Sequence, residues 1–121
     1  MSYNWNTRTE LLLGADRMER LAHSHVLVVG LGGVGAYAAE QICRAGVGKM
    51  TIIDADTVNE SNINRQLPAL HSTLGMPKAE VVAKRLLDIN PQLQLTVLNE
   101  FLRDERTEEV LLSAPLDFVV D

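Results

Sequence analysis

The sequence predicts an α/β fold, a doubly wound and mainly parallel sheet with helices on both faces, and three observations carry that prediction. Short β-branched runs alternate with segments of helical apolar spacing along the chain. A glycine-rich stretch, "GLGGVG" (30–35), stands between the first of these runs and the helix that follows it. An acid, Asp54, closes the second run.

Ahead of the sheet, "RTELLLGADRMERLAH" reads as two short helical pieces split by Gly14, with Leu11, Leu12, Leu13, Met18 and Leu21 available for packing. Residues 1–24 are therefore set apart as an N-terminal helical segment, and the α/β unit occupies 25–121. "HVLVVG" (25–30) is a β-branched run bounded by glycine, the pattern of a strand buried on both faces. The next segment places Val34, Ala38, Ile42 and Ala45 at helical spacing, with Gly46 and Gly48 as stop signals, so a helix of about eleven residues is expected. "KMTIID" is the second strand, ending at Asp54. After a long loop, Pro77 stands at a first helical position, and Ala79, Val82, Ala83, Leu86 and Leu87 line one face up to Asn90 and Pro91. "LQLTVL" (93–98) alternates as a third strand, "DERTEEVLLSAP" supplies a short helix, and "LDFVVD" begins a fourth strand. The order βαβαβαβ implies right-handed crossovers, with ligands at the carboxyl edge of the strands.

A chain of 121 residues with 46% hydrophobic content suits one compact domain. Its apolar stretches fall far short of a membrane span, and "MSYNWNTRTE" lacks the apolar core of a signal peptide, so a cytoplasmic location is expected. A single cysteine, Cys43, excludes an internal disulfide framework and any CxxC zinc or redox motif, and its place in a predicted helix fits a small buried side chain. The net charge of −5 argues against a generally basic nucleic-acid surface.

Between strand and helix, the glycine stretch has the context of a nucleotide-binding turn. Gly30 permits the tight turn, Gly32 lets backbone approach phosphate oxygens, and Gly35 lets helix and strand pack closely. The helix N-terminus offers free N–H groups to an anion. Asp54, about twenty residues beyond, is placed to accept hydrogen bonds from ribose hydroxyls, with Asp56 as its polar neighbour. NAD, FAD and ATP can all use this geometry.

The stretch "NINRQLPALHSTLGMPK" (62–78) follows at the carboxyl edge, where a structureless loop of such length tends to be functional. Reaction at an α-phosphate concentrates negative charge on the departing pyrophosphate, and cations must come from beyond the glycine turn. Asn62, Arg65 and Lys78 are the candidates, with Leu67, Pro68 and Leu70 giving the loop an ordered look; solvated side chains are the equal alternative on spacing alone.

Together "GLGGVG", "AGVGKMTIIDADTV", "SNINRQ" and "GMPKAEV" resemble the ubiquitin-activating-enzyme-like adenylyltransferases, densely from about residue 8 to 90 and more weakly beyond. "RTELLLG" with "NRQLPALHSTLGMPKAEV" is most similar to the branch of tRNA threonylcarbamoyladenosine dehydratases. The resemblance implies a Rossmann-like adenylation domain that binds ATP with magnesium (Mg2+) and acts as a homodimer. It implies that Gly32 and Gly33 lie against the phosphates, Asp54 holds the ribose, and Asn62, Arg65 and Lys78 contact the triphosphate. Arg8 matches an arginine that reaches into the partner subunit's ATP site. The substrate implied is tRNA carrying threonylcarbamoyladenosine, whose carboxylate is adenylated before an internal ring closure expels AMP. A sulfur-transfer protein is a further partner some relatives would use.

The family's magnesium-binding and catalytic aspartate is expected a few residues past the fourth strand, beyond residue 121, and Asp121 matches only the first acid of that stretch. The chain is accordingly expected to be an N-terminal fragment, truncated after the fourth strand, that catalyses little by itself. Two other readings stand beside the dehydratase: adenylation of the C-terminus of a sulfur-carrier or ubiquitin-like protein, and a non-catalytic nucleotide-binding or dimerisation module. An NAD-dependent oxidoreductase is the outsider, because it leaves Arg65 and Lys78 without a role.

Overall fold

The structure, a computed structural model, describes residues 4–121. Four strands, β1 (His25–Val29), β2 (Lys49–Ile53), β3 (Gln94–Leu98) and β4 (Phe118–Val120), form one sheet in the order β3-β2-β1-β4. All three pairings are parallel, with Leu27 opposite Thr51 and Val119, and Thr51 opposite Thr96. The chain moves outward from β1 to β3 and then returns to the other side of β1, so the strand order reverses beside β1 and leaves a crevice at the carboxyl edge.

Side chains alternate across β1, and the two faces are covered differently. Val26, Val28, Met50 and Ile52 meet Ala36, Ala39 and Cys43 of α3 (Gly35–Ala45) and Val82 and Leu86 of α4 (Lys78–Ile89) in the larger core. Leu27 and Ile53 point the other way, against Val110 of α5 (Asp104–Leu112). Helices therefore lie on both faces. α1 (Thr7–Leu13) and α2 (Ala15–Ala22) break at Gly14, whose φ of 88° lies in the left-handed region. The end of α2 is tied to the sheet by backbone bonds, Gly48 N–H to Leu21 C=O (3.1 Å) and Lys49 N–H to Ser24 C=O (3.1 Å).

Several expectations are corrected. Helix α3 has the predicted length, but its buried face is Ala36, Ala39, Glu40 and Cys43; Val34 is 81% exposed and Ala38 and Ile42 are only half-buried. Small residues face the sheet because the helix sits close to it, while Ile42 packs at the margin of the core and Val34, which precedes the helix, faces solvent. Glu40 can be buried because Arg85 of α4 donates a hydrogen bond to its carboxylate and Arg44 lies 3.8 Å away. On α4, Leu87 is exposed and outside the core, Leu11 and Leu12 of α1 face solvent, and Leu70 is exposed in the long loop. Pro77 caps α4 and Lys78 is its first residue.

The long loop also has more structure than expected. Two 3-10 turns, Glu60–Asn62 and His71–Thr73, lie within it. Its base is pinched by an antiparallel bridge between Thr57 and Pro77 and by bonds from Val58 N–H to Met76 C=O (2.8 Å) and Gly75 N–H to Val58 C=O (2.9 Å). Pro68 and Ala69 are buried beneath it.

A candidate nucleotide site at the carboxyl edge

At the end of β1 the chain turns at Gly30, with φ +85°, and enters α3 at Gly35. A Cβ on Gly35 would stand 1.7 Å from the Gly30 carbonyl oxygen, so only glycine allows helix and strand end to approach this closely. At Gly32 the neighbour is a side chain: a Cβ there would meet the Gln66 amide nitrogen at 3.3 Å. Gly33 faces open space.

Asp54, one residue past β2, holds the edge together. One carboxylate oxygen accepts the Leu31 N–H of the glycine turn (2.7 Å), and the other accepts the Asp56 N–H (2.7 Å). Asp56 is exposed, and its carbonyl accepts the Lys78 N–H (2.9 Å), which anchors the start of α4 to the same edge. Asp54 is thus a scaffold for the turn as well as a carboxylate with remaining acceptor capacity for a ligand.

The loop candidates differ in how they are held. Asn62 is buried; its Oδ1 accepts the Asn59 N–H (3.0 Å), and its carbonyl accepts from Arg65 (3.2 Å) and Gln66 (2.9 Å). Arg65 is exposed and folds onto its own loop, donating to Ser61 C=O (3.1 Å) and Asn64 Oδ1 (2.8 Å), with no carboxylate partner among the described residues. Lys78 is only 5% exposed at the first position of α4, and its ammonium has no hydrogen bond or ion pair among the described residues. The stem is buried while the ammonium keeps contact with the surface, at a helix end where the dipole disfavours positive charge and an anion would relieve it.

Arg8 is not brought to this edge. It is exposed on α1, whose neighbouring residues Trp5 and Thr9 border a hollow with Arg44, Arg85, Asp88 and Ile89, near the C-terminal ends of α3 and α4. That hollow, about 570 Å³, is larger than the one of about 180 Å³ at the carboxyl edge, which Gly30, Asp54, Asp56, Glu100 and Phe101 help to line. Chemistry favours the smaller one, since in the larger both arginines are engaged by Glu40. Glu100 there is held below the usual carboxylate range by the hydrogen bond from Arg106.

Gln66 was not singled out by the sequence, since a lone glutamine in a polar loop carries no pattern. Cys43 is fully buried, its thiol pushed up by burial, and it faces Leu86 C=O inside the core. Among the described residues no group of three or more His, Cys, Asp or Glu side chains could hold a metal ion. No helix among them is long and apolar enough to cross a membrane.

Known proteins carry the same architecture. The chain is 44% identical over 115 residues to the tRNA threonylcarbamoyladenosine dehydratase of Bacillus subtilis (strain 168), covering 95% of this chain and 45% of that protein. It is 42% identical over 106 residues to the molybdopterin-synthase adenylyltransferase of Escherichia coli (strain K12), covering 88% and 42%. The crystal structure of E. coli tRNA N6-threonylcarbamoyladenosine dehydratase in complex with ATP superimposes with a TM-score of 0.89 at 39% identity, over 98% of this chain and 49% of that one. The chain therefore spans less than half the length of these relatives. With the ThiF family model matching residues 3–121, and with the glycine turn, acid and cation loop that the fold assembles, the chain belongs to the ThiF family.

Proposed function

We propose that the protein activates a carboxylate with ATP, and that the carboxylate is that of threonylcarbamoyladenosine in tRNA. The observation that carries the reading is the buried, unpartnered Lys78 set at the strand edge that also holds the glycine turn and Asp54. The relatives named for this dehydration, and the one solved with ATP, support it.

In the first step a substrate carboxylate oxygen forms a bond to the α-phosphorus while the bond to pyrophosphate breaks. The developing charge spreads over the phosphate oxygens and the leaving pyrophosphate, where Lys78 and Arg65 would stabilise it. Asn62 positions the loop, Asp54 accepts from the ribose, and the glycine turn and the N-terminus of α3 receive phosphate oxygens. The mixed anhydride has AMP as leaving group. An internal nucleophile of the modified base attacks the acyl carbon, loses its proton and expels AMP, which carries away the oxygen formally lost as water. Positioning and charge stabilisation are most of what the protein supplies.

The test uses the full-length protein with ATP and tRNA carrying threonylcarbamoyladenosine. Pyrophosphate release and a modified base lighter by one water are expected. Binding of NAD without binding of ATP would sink the reading. Release only with a small carrier protein would favour the second reading, adenylation of a sulfur carrier, which the similarity to the molybdopterin-synthase enzyme supports.

The protein is further proposed to act as a homodimer, with Arg8 serving the partner's site, since Arg8 is exposed and far from its own carboxyl edge. Mixing an Arg8→Ala protein with a Lys78→Ala protein is expected to restore partial activity, because one site of the mixed dimer keeps both cations. No recovery would argue that each site is built from one chain. A cytoplasmic location and a sulfur-transfer partner belong to the same proposal.

A further inference from the structure

We infer that Gln66 is a phosphate-positioning residue of the nucleotide site, its carboxamide N–H donating to a phosphate oxygen that rests on the glycine turn. The inference rests on the ATP reading above. Three independent observations carry it. The carboxamide lies over Gly32, with Nε2, Cδ and Oε1 at 3.3, 3.6 and 3.8 Å from where a Cβ would stand, so it forms a wall of the space above the turn. Gly32 therefore leaves room for a side chain of the cation loop as much as for a ligand.

The second observation is the orientation of that wall. Oε1 is buried with no hydrogen-bond partner, the one side-chain atom of this kind among the described residues, while the amide nitrogen is the atom closest to the Gly32 side. A buried acceptor left unpaired destabilises a fold, and native structures keep such groups mainly where function demands them. Here the acceptor is turned inward and the donor toward the turn, the polarity that suits an anion.

The third is the fixed base of the side chain. The Gln66 N–H donates to Asn62 C=O (2.9 Å), and its own carbonyl accepts the Ala69 N–H (3.0 Å). Asn62 is in turn held by Asn59. The carboxamide is thus delivered to the glycine turn from a backbone fixed on both sides, and it links the loop carrying Arg65 to the surface where phosphate would lie. A neutral donor at this point orients the phosphate without adding to the charge that Arg65 and Lys78 bring.

Calorimetry with the full-length protein tests this, comparing ATP with adenosine, alongside thermal melting. Gln66→Met keeps the length of the side chain and removes both polar atoms. It is expected to weaken ATP binding by about tenfold, as loss of a hydrogen bond to a charged group would, with adenosine binding unchanged. Its melting temperature is expected to hold or rise, because the unpaired acceptor is gone. Gln66→Glu sets a carboxylate against phosphate and is expected to weaken ATP by about a hundredfold, again sparing adenosine. ATP binding equal to wild type in the Gln66→Met protein would overturn the inference and leave the ATP reading standing. A lowered melting temperature with equal losses for ATP and adenosine would reduce Gln66 to a structural residue. A wild-type protein that binds neither ligand would remove the ATP reading itself, and the inference with it.

Discussion

Replacing Lys78 with alanine is expected to lower ATP-dependent pyrophosphate exchange in the full-length protein by about 10²–10³-fold, the usual loss when one donor to developing charge is removed. The melting temperature should not fall. Lys78 is the first residue of α4, where the helix dipole opposes a cation, and it is buried without a partner among the described residues. Alanine is the better helix former there and removes a cation that the helix dipole opposes and that no carboxylate pairs with among the described residues. The bond from its backbone N–H to Asp56 C=O survives the change. Stability and activity should therefore move in opposite directions. A Lys78→Ala protein that unfolds more easily while its remaining folded fraction exchanges pyrophosphate normally would make Lys78 a structural residue and remove the central cation from the mechanism.

The second large effect is on the fold. Gly35→Ala would put a methyl group 1.7 Å from the Gly30 carbonyl oxygen, a contact that only backbone movement can relieve. Overpacking of a rigid interior costs about 1–3 kcal/mol and more where no side chain can yield. The shift would also disturb the turn that donates Leu31 N–H to Asp54. A loss of about 3 kcal/mol or more is expected from the urea midpoint, with Gly33→Ala as the control because nothing lies within 4 Å of its Cβ position. Equal midpoints for the two variants would show that Gly35 does not stand against the Gly30 carbonyl.

Much of this was legible in the sequence for identifiable reasons. The four strands lie within their predicted stretches because runs such as "HVLVV" and "KMTII" have no other good use in a short chain bounded by glycines. Asp54 could be placed because the end of a parallel strand fixes where its successor points. The face of α3 could not, since the residues that meet the sheet, Ala36 and Ala39, are less apolar than Val34, which faces solvent. Spacing gave the period of that helix and hydrophobicity misled about its phase. The burial of Glu40 depends on Arg85, far along the chain, and no local pattern announces such a partner. Gln66 was invisible for the same reason, because its environment is made by Gly32 and by the fold of the loop around Asn62.

The pinched base of the loop between β2 and α4 has a thermodynamic consequence. Fixing the backbone of a residue costs about 1–2 kcal/mol of conformational entropy, so a loop that froze only when nucleotide arrived would consume much of the binding energy its cations provide. Here the Thr57–Pro77 bridge, the bonds between Val58, Gly75 and Met76, and the two 3-10 turns set the backbone during folding. The ordering is charged to the core beneath Pro68 and Ala69, and the site is preorganised before any ligand is present.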